Sequence, residues 1–138
     1  AQEAEPLDLT GSKVLAAEDN ELNAEILQMM LRQAGADVTL VENGELLVKA
    51  FEAAAPNTYD YIFTDIMMPV MDGYEACRRI RALDRPDTQS IPIIAMTANV
   101  FAEDVQRSLD AGMDAHISKP FDLKKLQQCL AKLSQKRV

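Results

Sequence analysis

Histidine is almost missing from this chain of 138 residues: His116 is the only one. Cysteine is nearly as scarce, with Cys77 and Cys129 far apart and no C-x-x-C pair. These two shortages exclude the usual zinc ligand sets. Two isolated thiols, each inside a stretch of helical periodicity, do not make a disulfide framework. They read as reduced core residues, and a reducing compartment follows. No run of about 18 apolar residues is present to span a membrane, and no N-terminal apolar stretch resembles a signal peptide. Basic residues are outnumbered, 14 Lys and Arg against 22 Asp and Glu, for a net charge of −8. That balance excludes a general nucleic-acid footprint and electrostatic docking to an anionic membrane. The expected location is cytoplasmic, which leaves room for a parent protein with a membrane anchor elsewhere.

Apolar residues, at 48%, are numerous enough for a real core, and the length suits one domain. Residues 1–12 are polar and acidic, with Pro6, Gly11 and Ser12, and read as a linker or lead-in. The expected domain runs over residues 13–134, with 135–138 as a C-terminal tail. Inside it, short apolar runs alternate five times with helical periodicity. The strand candidates are Lys13–Ala17, Asp37–Val41, Tyr61–Thr64, Ile91–Met96 and Ala115–Ser118. The first, third and fourth are nearly continuous in apolar residues, as strands covered on both faces are; Asp37–Val41 is mixed and suits an edge. The first helix is expected to bury Leu22, Ile26, Met29, Met30 and Gln33, and Gly35 ends it. The second carries Leu47, Ala50, Phe51 and Ala54. The third runs from Asp72 to about Leu83, with Cys77 and Ile80 inward and Arg78, Arg79 and Arg81 mostly outward. The fourth, about Ala102 to Ala111, has a thin stripe of Val105 and Leu109. The last has Leu123, Leu126, Leu130 and Leu133, with Asp122 placed to cap it. Strict alternation predicts an α/β fold, a doubly wound parallel sheet with helices on both faces. Ligands in such sheets sit beyond the carboxyl ends of the strands.

Charged residues stand at those ends. Glu18 and Asp19 follow Lys13–Ala17, Asp65 follows Tyr61–Thr64, and Lys119 follows Ala115–Ser118. Three carboxylates a few ångströms apart repel by roughly 4 kcal/mol per pair at an effective dielectric near 20. They either shift their pKa values upward or bind a cation, and Mg²⁺ suits hard oxygen ligands with a phosphate nearby. For Glu18 and Asp19 alone a solvated acidic edge is the simpler reading. Asp65, delivered by a different strand and followed by an apolar segment, shifts the balance. A lysine at a strand end usually snorkels to solvent; beside a phosphoryl group, Lys119 neutralises charge. Thr97 closes the fourth strand, and its hydroxyl is able to donate to a phosphoryl oxygen, with the small Ala98 leaving room.

The stretches Val14-Leu15-Ala16-Ala17-Glu18-Asp19-Asn20, Asp65-Ile66-Met67-Met68-Pro69-Val70-Met71-Asp72-Gly73, Met96-Thr97-Ala98 and Ser118-Lys119-Pro120, in this order and spacing, resemble response-regulator receiver domains of two-component signalling. The resemblance covers about residues 13–134. Asn20 with Asn23, Thr97-Ala98-Asn99 and Ala111-Gly112-Met113-Asp114 look most like receivers of hybrid sensor histidine kinases. It implies a flavodoxin-like five-stranded sheet in order 2-1-3-4-5. It implies that Asp65 accepts a phosphoryl group from phosphohistidine, with Mg²⁺ organised by Glu18, Asp19, Asp65 and the main-chain carbonyl of Met67. Lys119 and Thr97 would hold phosphoryl oxygens. The implied partners are a histidine kinase core, a histidine phosphotransfer domain, or both. Receivers assist their own phosphorylation and dephosphorylation, and a hybrid parent would itself be a protein-histidine kinase.

Two positions depart from the family pattern. His116 stands where an aromatic residue usually swings inward with the threonine, so the switch expected of Thr97 and His116 differs from the tyrosine form. Glu18 stands where many members have Asp, which lengthens the metal arm and keeps its charge. Met67, two after Asp65, and Asn99, two after Thr97, should tune phosphoryl lifetime. Apolar Met67 offers an attacking water no hydrogen bond, so a long-lived phosphoaspartate is expected.

Other functions fit less well. An aspartate-nucleophile phosphohydrolase resembling the haloacid dehalogenases wants a second acid where Met67 stands. A flavodoxin-like nucleotide binder wants a glycine- or hydroxyl-rich loop after the first strand, and Glu18-Asp19-Asn20-Glu21 repels phosphate unless a metal intervenes. A stand-alone single-domain regulator and a docking module that never takes phosphate are the remaining alternatives. The acidic, Pro-containing lead-in points to a piece of a longer kinase.

Overall fold

The computed structural model describes residues 8–97, 102–119 and 122–136. Strands β1 (Lys13–Ala17), β2 (Asp37–Val41), β3 (Tyr61–Asp65), β4 (Ile93–Thr97) and β5 (Ala115–Ser118) alternate with helices. The helices are α1 (Glu21–Gln33), α2 (Gly44–Ala53), α3 (Gly73–Ala82), α4 (Ala102–Ala111) and α5 (Leu123–Lys136). The strands form one parallel sheet in order β2-β1-β3-β4-β5. This is the doubly wound arrangement expected, with the mixed strand β2 at an edge.

The pleat divides the core in two. Val14, Ala16, Phe63, Ile94, Met96 and Ile117 meet Leu27 and Leu31 of α1 and Leu126, Leu130 and Leu133 of α5. The alternate residues Leu15, Ala17, Ile62, Ile93 and Ala95 meet Leu47 and Phe51 of α2 and Cys77 and Ile80 of α3. Successive strand side chains point to opposite faces, so both faces of the three central strands are apolar.

Three helix expectations are corrected. Helix α1 buries Ala24, Leu27 and Leu31, while Leu22 and Met29 are exposed. Both i, i+3/i+4 faces of α1 are apolar, and the tertiary neighbours chose the other one; Ile26 and Met30 flank it. Leu109 of α4 and Leu123 of α5 are also exposed. Arg81 does not point outward. It donates to the carbonyls of Thr88, Ile91 and Gly112 and pairs with Asp114 at 2.8 Å, its side chain only 13% exposed. The fourth strand starts at Ile93, two residues later than expected, and Ile91 N–H donates to Asp87 O instead. The side chain of Val105, together with Ala98, Asn99 and Pro120, lies outside the described residues.

Candidate phosphoryl and metal site

Pleat parity decides which charged groups meet. Glu18 lies two residues beyond Ala16, Asp65 two beyond Phe63 and Lys119 two beyond Ile117. All three therefore leave the sheet on the α1/α5 face. A hydrogen bond from Glu18 N–H to Val41 O, at 3.1 Å, carries β1 pairing one residue past the strand. Lys119 N–H donates to Thr97 O at 2.8 Å and does the same for β5.

The side chains converge. Lys119 Nζ lies 2.9 Å from Asp65 Oδ2 and 3.1 Å from Glu18 Oε2. Glu18 and Asp65 are buried, at 3% and 6% exposure, whereas Asp19 is exposed. Glu18, Asp19 and Asp65 each offer a carboxylate oxygen, and these oxygens lie within 4.8 Å of one another. Burial, then the charge of Asp65, push the Glu18 carboxyl above its usual range, against the pull of Lys119. Burial alone would depress Lys119, but Asp65 and then Glu18 outweigh it, and its pKa is raised.

The donor set fits Mg²⁺. One lysine serves two buried carboxylates: it donates to Asp65 Oδ2 at 2.9 Å and to Glu18 Oε1 at 3.3 Å, and gives the buried Glu18 Oε2 an ion-pair contact without hydrogen-bond alignment. Asp19 reaches the cluster from the solvent side. A hard divalent ion with retained waters satisfies such oxygens better than a second ammonium does.

The loop after β3 is shaped by glycine. A Cβ on Gly73 would stand 2.3 Å from Asp65 O, and Gly73 N–H donates to Ile66 O at 2.9 Å. Asp72 caps α3 through Glu75 N–H. This loop carries Met67, whose side chain is 78% exposed.

Thr97 and His116 fall on the opposite pleat. His116 is paired with Ala95, and Thr97 is two residues further along β4, so the two share a face. His116 is half-buried and lines a cavity of about 640 Å³ along the edge strand β5, which Leu109 of α4 and Cys129, Lys132 and Leu133 of α5 also line.

These positions agree with a known family: the response regulator receiver domain matches residues 14–131. The chain belongs to the response regulator receiver family. This receiver is 42% identical over 134 residues to hybrid signal transduction histidine kinase L of Dictyostelium discoideum, covering 95% of this chain and 8% of that protein. It is 39% identical to probable histidine kinase 2 of Oryza sativa subsp. japonica, covering 94% of this chain and 13% of that one. It thus spans a small fraction of the kinases it matches. A receiver domain of a sensor histidine kinase from Pseudomonas aeruginosa PAO1, solved with magnesium coordinated in its active-site cleft, has a TM-score of 0.76. It is 40% identical and covers 86% of this chain and 93% of its own. A chemotaxis response regulator of Vibrio cholerae has a TM-score of 0.77 at 27% identity, covering 91% of this chain and 98% of its own.

Sequence reasoning missed the double role of Lys119, which bridges Asp65 and Glu18. The signal was there, because Ala16, Glu18, Ile117 and Lys119 share one pleat parity. It also missed Gly44, whose contact with the site loop crosses from another element.

Proposed function

We propose that Asp65 is the phosphoacceptor of a two-component phosphorelay, taking a phosphoryl group from a phosphohistidine. The observation that carries it is the ion pair of a buried Asp65 with Lys119, inside a cluster of three carboxylates. In the transfer the histidine N–P bond breaks and its electron pair returns to the imidazole nitrogen. A bond forms from Asp65 oxygen to phosphorus. Asp65 needs no proton removed, because a carboxylate held against an ammonium is already the nucleophile. Bound Mg²⁺, held by Glu18, Asp19, Asp65 and the Met67 carbonyl, would neutralise charge on the equatorial oxygens. Lys119 leaves Glu18 for a phosphoryl oxygen, and Thr97 donates to another. Thr97 and His116, diagonal neighbours on one face of β4 and β5, form the route by which the state of Asp65 reaches β5 and its cavity.

The donor of the phosphoryl group is the histidine kinase core or histidine phosphotransfer domain of a hybrid sensor kinase. Leu22, Met67, Val70 and Leu123 are exposed, and each lies in a loop or first helical turn following a strand, on the side of Asp65. They give such a partner apolar contacts around the acceptor. A cytoplasmic setting follows from that partnership; among the described residues no helix is long and apolar enough to cross a membrane.

The test is incubation with Mg²⁺ and acetyl phosphate, followed by intact mass measurement. One added phosphoryl group is expected, lost in Asp65→Asn and kept in Asp60→Asn, whose carboxylate instead accepts from Lys13 N–H. No adduct from acetyl phosphate or from a hybrid kinase would leave a docking module as the reading.

A further inference from the structure

The loop from Ile66 to Asp72 is not relaxed. Met71 N–H donates to Pro69 O at 2.8 Å across Val70, whose φ is +70°. This is a γ-turn of the rare, strained hand, with a β-branched residue at its centre. Val70 is 75% exposed, so side-chain packing does not hold it there. A strained backbone persists only where its surroundings over-determine it.

The surroundings are the N-terminus of α2. Gly44 N–H donates to Met71 O at 3.0 Å. A Cβ on Gly44 would stand 2.4 Å from that same oxygen and 3.0 Å from Asp72 O. Glycine is required there for close approach rather than for an unusual φ. Asn43 caps α2 through Leu46 N–H, which fixes where Gly44 sits. Gly73 grips the other end of the loop through Ile66 O. The segment carrying Met67 is thus clamped between two helix N-termini.

We propose that Gly44 is a positioning residue for the metal and phosphoryl site, holding the strained Pro69–Val70–Met71 turn so that the Met67 carbonyl stays where a cation is bound. The proposal rests on the phosphoacceptor reading above. It brings in α2, an element that supplies no side chain to the site.

The experiment uses Mg²⁺ alone as probe. In the unaltered chain, saturating Mg²⁺ slows exchange of the Gly44 amide hydrogen, because coupling between two contacts is reciprocal. Gly44→Ala weakens Mg²⁺ binding by about tenfold or more in calorimetry, a coupling of the size typical between linked sites. Adding Val70→Gly lets the turn yield to the new Cβ and removes most of that tenfold effect, a non-additivity expected only of residues acting through one another. Lowered stability with an unchanged Mg²⁺ affinity, or strictly additive effects, would overturn the proposal. Should Gly44→Ala fail to fold, the Gly44 amide in the unaltered chain decides: equal exchange with and without Mg²⁺ overturns it. A chain that binds no Mg²⁺ and takes no phosphoryl group overturns the functional reading itself, a distinct outcome.

Discussion

Replacing Lys119 with methionine removes the one ammonium seen on Glu18 and Asp65 while keeping an unbranched side chain of similar reach. The two carboxylates are then left buried with their nearest oxygens within 4.8 Å. At an effective dielectric near 20 their repulsion is about 3.5 kcal/mol. This is an upper bound, because solvent reaching the cluster from the exposed Asp19 side screens part of it. Glu18 is already raised with Lys119 present, so in the variant it rises further. A carboxyl whose folded pKa lies above its unfolded value favours folding while protonated, and that contribution is lost as pH rises through the folded pKa. The gap in unfolding free energy between Lys119→Met and the unaltered chain should therefore widen from pH 5 to pH 8, by about 1–3 kcal/mol. Urea unfolding at both pH values measures it. Mg²⁺ should close the gap at pH 8 and bind the variant more tightly than the unaltered chain, because its competitor for the carboxylates is gone. Phosphorylation by acetyl phosphate should still fall at least tenfold, since the phosphoryl oxygens lose their cation. A destabilisation independent of pH, or one that Mg²⁺ does not relieve, would refute the reasoning.

Met67→Asn supplies a hydrogen-bonding group beside the acceptor and should speed loss of the phosphoryl group; an unchanged decay rate counts against Met67 as a tuning position. Arg81→Met strands the carbonyls of Thr88, Ile91 and Gly112 and should cost about 2–4 kcal/mol in denaturant unfolding, with Mg²⁺ affinity unchanged. Burial pushes the thiols of Cys77 and Cys129 up to about 11 from 9.0, so both should resist alkylation at pH 8 until the chain unfolds. Because the native thiols keep protons that the unfolded thiols release, stability should fall between pH 9 and pH 11, and Cys77→Ala with Cys129→Ala should flatten that slope.

Local pattern carried far in this chain. Continuous apolar runs at Val14–Ala17 and Ile93–Met96 can only be covered strands, and their alternation with helical stretches leaves few topologies. Asp65 and Lys119 at strand exits were legible for the same reason. Helix faces were legible only in part. On α1, two overlapping stripes satisfy the helical period, and nothing within the helix says that Leu27 and Leu31 meet the sheet while Leu22 and Met29 face outward. Arg81 misled because a charged residue on a helix is usually solvated. Its carbonyl partners come from the turns before β4 and β5, which no local spacing brings near.

By itself, then, the sequence determined the parallel sheet, the strand exits and the chemical types standing there, because strand period and hydrophobicity are local properties. Tertiary structure decided three further things: that Lys119 bridges Asp65 and Glu18, that the Val70 turn is held in strain, and that Gly44 of α2 reaches the loop beside the site. Each is a contact between segments distant in sequence, set by how crossovers close and how near two backbones come, and no periodicity encodes that distance.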